Sequence, residues 1–118
     1  MIVYVSIGNS DDKLSQVEWS SYVTEMDVTL ADRSEIPDSP VLRRHGAWLS
    51  RSDAPWQNAC WCVELEDADD AVKELQGRLR ELLSSYRQDS IAWAPVLDWQ
   101  GKREGVNRYT HLHRDSRP

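Results

Sequence analysis

The sequence predicts an α+β sandwich: a four-stranded antiparallel sheet, two helices on one face, and room for an extra C-terminal strand. Three observations carry this. Residues 2–8 and 58–65 alternate apolar and polar side chains, the period of a half-buried strand. Two longer segments, one from Ser15 and one from Glu66, repeat apolar residues every three to four positions, the period of an amphipathic helix. The elements follow one another as strand, helix, strand, strand, helix, strand, or βαββαβ.

Val3, Val5 and Ile7 form the buried side of the first strand, with Tyr4 and Ser6 on the other. Gly8-Asn9-Ser10-Asp11-Asp12 is a polar turn. Ser15 and Glu18 then have capping-box spacing, with Leu14 and Trp19 placed as a hydrophobic staple. Trp19, Tyr22, Val23, Met26 and Leu30 are the buried stripe of the first helix, which should fade before Ile36-Pro37-Asp38-Ser39-Pro40. Val41 to Leu49 reads as strand two, with Gly46 marking a weak point or bulge. Arg51 to Trp56 is the hairpin loop, and residues 58–65 are strand three. Glu66, Asp67, Asp69 and Asp70 crowd the start of the second helix, where negative charge meets the positive end of the macrodipole. Val72, Leu75, Leu79, Leu82 and Tyr86 form its apolar stripe. Strand four runs from Ile91 to Leu97, and Pro95 predicts an edge position, because proline cannot donate to a neighbour. Residues 1–98 make the domain, and 99–118 are a basic tail or extra strand.

Composition bounds the function. The 118 residues carry a formal charge of −6. Between Trp99 and Pro118, Lys102, Arg103, Arg108, Arg114 and Arg117 face Glu104 and Asp115, a net +3 that leaves −9 on residues 1–98. Such a body repels phosphate backbones, so a nucleic-acid contact is expected only through the tail. Apolar runs are too short to span a bilayer, and the start lacks a signal peptide's basic segment, so the expectation is a cytoplasmic protein with no membrane contact. Cys60 and Cys62 sit two apart on one strand, poor geometry for a mutual disulfide, and are expected as reduced thiols. Phe is absent and Trp occurs six times, so indoles do the bulky packing, and each buried N–H needs an acceptor.

The order of elements resembles the ferredoxin-like sandwich. That resemblance implies strand order 4-1-3-2, strands one and three central and parallel, and one face left open by the helices. It further implies an edge gathering Asn9, Ser10, Asp11 and Asp12 with Arg87, Gln88, Asp89 and Ser90, approached by Arg43, Arg44 and His45. Tyr4, Ser6, Cys60 and Cys62 fall on the open face, joined either by Trp48 or by Ala47 and Leu49, depending on the bulge at Gly46. Ser10-Asp11-Asp12-Lys13 after the first strand is also similar to the small nuclease subunit of CRISPR adaptation complexes. Gly8 stands where that family carries its aspartate, so its metal-dependent activity does not carry over.

No complete catalytic constellation, metal set or cofactor motif is present. Asp11 and Asp12 serve a helix start as well as they would serve acid–base chemistry. Arg43, Arg44 and His45 would suit an anion, and equally a charged edge strand. Cys60 and Cys62 with His45 fall short of a zinc set, and His111 and His113 read as a solvated terminus. Trp56, beside Pro55 at a loop tip, suits a protein contact. The expected function is therefore a small, non-enzymatic binding protein that self-associates through its open face and takes a protein partner. The alternative is a small-molecule or phosphate-ester enzyme at the polar edge, with Asp11, Asp12 or Asp89 as acid–base groups and Arg44 holding the anion.

Overall fold

A computed structural model describes residues 1–9, 13–96 and 110–113. Its elements are β1 (Ile2–Gly8), α1 (Gln16–Thr29), β2 (Val41–Leu49), β3 (Asn58–Leu65), α2 (Asp69–Ser85), β4 (Ser90–Pro95) and β5 (Thr110–His113). The architecture is α+β: two helices and a five-stranded antiparallel sheet in the order β2-β3-β1-β4-β5. Among these residues no helix is long and apolar enough to cross a membrane.

Three expectations change. The sheet has five strands rather than four. β1 and β3 are antiparallel, because β3 returns from the β2 hairpin against β1 in the register Val3↔Val63 and Ile7↔Ala59. β4 is interior, between β1 and β5. Pro95 is tolerated there because β5 pairs only with Ser90 to Trp93, so no β5 carbonyl calls on the missing N–H.

The alternating residues do what their period requires. Val3, Val5 and Ile7 of β1, Ala59, Trp61, Val63 and Leu65 of β3, and Ile91 and Trp93 of β4 are buried on the helix side, with Leu112 of β5. Trp19, Tyr22 and Met26 of α1 and Val72, Leu75, Leu79 and Leu83 of α2 complete the core. Leu83, absent from the expected stripe, is fully buried, while Leu82 and Tyr86 are partly buried against the cluster. Tyr86 stacks on Tyr22 with centroids 4.7 Å apart. The helices cover only the first part of β2, and its residues 45–49 are exposed.

The capping box at α1 is complete: the Glu18 N–H donates to Ser15 Oγ (3.2 Å) and the Ser15 N–H to Glu18 Oε1 (3.0 Å). At the far end of α2 the chain leaves through a Schellman motif. The Gln88 N–H reaches the Leu83 carbonyl at 2.9 Å and the Arg87 N–H the Ser84 carbonyl at 3.3 Å. Arg87 holds the left-handed position at φ 56°, which glycine usually fills.

The indoles divide in how they are satisfied. Trp61 Nε1 donates to Asp27 Oδ1 at 2.8 Å, and the same oxygen accepts Arg44 Nη1 at 2.9 Å. That carboxylate ties α1, β2 and β3 together. Trp93 Nε1 and the Tyr22 hydroxyl are buried without a partner among the described residues.

Two substitutions check these assignments. Asp27→Ala should cost about 2 kcal/mol, since it orphans the buried Trp61 N–H and releases Arg44. Arg87→Val should cost about 2 kcal/mol while Arg87→Gly is tolerated, because every Cβ opposes the left-handed backbone, a β-branched one most and glycine not at all. Urea denaturation measures both.

Candidate functional site

The antiparallel register decides which polar segments meet. At one end of the sheet lie the end of β1, the start of β3, the end of β2 and the start of β4, through the pairs Gly8↔Asn58, Leu49↔Ala59 and Ser6↔Ala92. Asn9, Arg87, Gln88, Asp89 and Ser90 gather there as expected. Arg43, Arg44 and His45 do not. They occupy the first half of β2 opposite Glu64 and Val63, near Ile2. At about 3.3 Å per residue, Arg44 is some 17 Å of strand from Leu49. The expected three-segment edge is thus a two-segment edge, and Arg44 is not placed to hold an anion beside Asp89. Ser10, Asp11 and Asp12 lie outside the described residues, as do residues 97–109 and 114–118 of the tail.

Asn9 is the fixed point of this end. It is buried, its Oδ1 accepts the Leu14 N–H (3.1 Å), and its Nδ2 donates to the Leu14 carbonyl (3.0 Å). Its own N–H reaches the Gln57 carbonyl at 2.9 Å. The side chain is spent on joining β1 to the start of α1. Arg87 Nη2 donates to Glu18 Oε2 at 2.7 Å, which with the capping bond holds the Glu18 carboxyl below the usual range. Lys13 Nζ pairs with Asp89 Oδ2 at 3.2 Å.

Between these groups is a cavity of about 360 Å³ lined by Ser6, Ile7, Gly8, Asn58, Gln88, Asp89, Ser90, Ala92 and His111. Gly8 gives the Asn58 side chain its room: a Cβ there would sit 2.8 Å from Asn58 Oδ1 and push that carboxamide aside. Gln88 is buried and donates from Nε2 to the Tyr86 carbonyl (3.1 Å); Asn58 Nδ2 donates to the Trp56 carbonyl (3.2 Å). His111 is exposed, in keeping with the solvated terminus read from sequence, and it also pairs with Ala92 of β4 and lines the cavity. The signal for it was the alternation of His111 and His113 about a buried Leu112.

The open face is as expected in composition. Tyr4 pairs with Cys62 and Ser6 with Cys60, while the β2 register shift between Arg44 and Gly46 puts Trp48 opposite Cys60. Trp48 therefore joins this face, and Ala47 and Leu49 turn to the helix side. Tyr4 and Trp48 are 45% and 59% exposed, large fractions for rings set in a sheet. The bond to Cys62, more than burial, pushes the Tyr4 phenol above its ordinary value. Cys60 and Cys62 are free and half-buried. His45 Nε2 lies 2.9 Å from Glu64 Oε1, a contact that lowers the Glu64 carboxyl. Trp56 is 63% exposed in the β2–β3 loop. No group of three or more His, Cys, Asp or Glu side chains among the described residues could hold a metal ion.

Against known proteins, the chain matches no family model, no curated protein and no solved structure.

Two measurements follow from this geometry. Gly8→Ala should cost about 1 kcal/mol, and Asn58→Ala in the same chain should remove most of that cost, because the clash is with the Asn58 tip alone. Asp32 accepts the Ser34 hydroxyl, the Arg44 N–H and the Ser34 N–H, in that order of effect, and its carboxyl is lowered to about 2. The unfolded chain binds this proton more readily, so the stabilisation is whole above about pH 4 and lost as pH falls through about 2. In Asp32→Asn, acid unfolding should lose that component of its pH dependence.

Proposed function

We propose that this chain is a small interaction module without catalytic function, a ferredoxin-like sandwich extended by a fifth strand. It self-associates through the open sheet face and uses the Trp56 loop to contact a protein partner. The observation that carries this reading is the exposed Tyr4 and Trp48 on a face whose central rows are uncharged. Those rows run Gly46, Cys62, Tyr4, Ala94 and Trp48, Cys60, Ser6, Ala92. The charged groups gather at one corner, where Glu64 contacts His45 and faces Arg43.

Charge favours a second copy as the occupant. In a chain of net −6, contact through most other surfaces sets carboxylate against carboxylate, whereas the central rows bring no charge. Size fits as well. Five strands spaced about 4.8 Å and averaging about 23 Å in length give a footprint on the order of 500 Å² before side-chain relief. A stable dimer buries about 800 Å² of accessible surface per partner, which side-chain relief on such a footprint approaches.

Sedimentation velocity over a dilution series tests the reading. A dimer that dissociates on dilution is expected, with Tyr4→Asp and Trp48→Asp each weakening it at least about tenfold. A strict monomer at high concentration overturns it.

A further inference from the structure

We propose that the cavity beside the α2–β4 turn binds a small, uncharged, hydroxyl-rich molecule of about monosaccharide size. The inference does not rest on self-association, since every lining group comes from one chain; Ser6 and Ala92 also lie in the face proposed to pair, so ligand and second copy compete there.

The chemistry of the lining selects the class. Asn58 and Gln88 present carboxamides, each of which both donates and accepts. Ser6 and Ser90 add hydroxyls with the same dual capacity. A vicinal diol is also both donor and acceptor at each oxygen, so these groups match it without a formal charge on either side. The charged alternatives fit less well. Asp89 is the lining carboxylate, and Lys13 already pairs with it at 3.2 Å, so an organic cation would have to displace that ammonium. An anion would meet Asp89 within a chain of net −6. The apolar share, from Ile7, Ala92 and the stems of the polar residues, is smaller than the polar share, which favours a hydroxyl-bearing ligand over a wholly aromatic or aliphatic one.

The site is also built in advance. Gln88 and Asn58 each spend one N–H on a backbone carbonyl, Tyr86 at 3.1 Å and Trp56 at 3.2 Å, which fixes the direction of the groups that remain. The Schellman turn sets the backbone before Asp89, and the bare α-carbon of Gly8 leaves room for the Asn58 carboxamide. Groups held this way lose little freedom on binding. The volume of about 360 Å³ lies near the lower end of ligand clefts, which run from about 300 to 1,000 Å³.

The test is a ¹⁵N–¹H NMR titration of the full chain with D-ribose, D-glucose and glycerol, beside inorganic phosphate and ethylamine. The expected result is that the Gly8, Asn58 and Ser90 amides shift together and saturate with one of the three polyols at millimolar concentration. Ala92→Leu, which fills the cavity from the open face, should weaken that binding at least about fivefold. Ser90→Leu serves if Ala92→Leu does not fold. Three results overturn the proposal: no saturable shift with any polyol up to about 100 mM, equal binding by the filled variant, or saturation of these amides by phosphate or ethylamine alone.

Discussion

The structure depends on the register of β1. This strand lies at the middle of the sheet and pairs on both sides, with β3 through seven residues and with β4 through four. Val3, Val5 and Ile7 must face the helices, and with a side-chain period of two, a slip of one residue would send them to the other face and bury Tyr4 and Ser6. Once β1 is set, Cys60 and Cys62 must share a face with Tyr4 and Ser6, and Gly8 must meet Asn58. The open face and the cavity at its end are both results of that one register.

Chain ends of the helices supply the second constraint. The Asn9 side chain brackets the Leu14 peptide and delivers α1 at a fixed place, while the left-handed Arg87 turns the chain from α2 into β4 within three residues. Glu18 joins the two, capping α1 and accepting Arg87. The polar cluster at this end is therefore held by bonds between helix termini. Its charged members, Lys13, Glu18, Arg87 and Asp89, pair with one another, and Asp89 alone of the four also lines the cavity, beside neutral groups such as Asn58, Gln88 and Ser90.

Much of this was legible in the sequence where periodicity speaks directly. The alternation of β1 and β3, the capping box at Ser15 and the stripe from Trp19 to Leu30 all read correctly, because each is a local pattern. What failed was relational. Arg43, Arg44 and His45 fall at the polar edge only if β1 and β3 run parallel, and strand direction is fixed by pairing rather than by composition. Pro95 misled because a rule about a whole strand applies only to the residues that have a neighbour. The alternation of His111 and His113 about Leu112 suggests a strand, but nothing local says that it pairs with β4 and brings His111 to the cavity. The choice between Trp48 and Leu49 turned on a bulge that one glycine could suggest but not locate.

The two irregularities in β2 have a consequence for how copies of this chain can meet. Register shifts fall between Val41 and Arg43 and between Arg44 and Gly46, so only Gly46 to Leu49 keeps a regular ladder at that border. A strand from another molecule added there would find a run of four residues, too short to template a continuous ribbon. Open-ended growth by edge pairing is thereby blunted, although Ala47, Trp48 and Leu49 are apolar and exposed. The bulges let the protein carry a hydrophobic border that offers little purchase to a growing fibre.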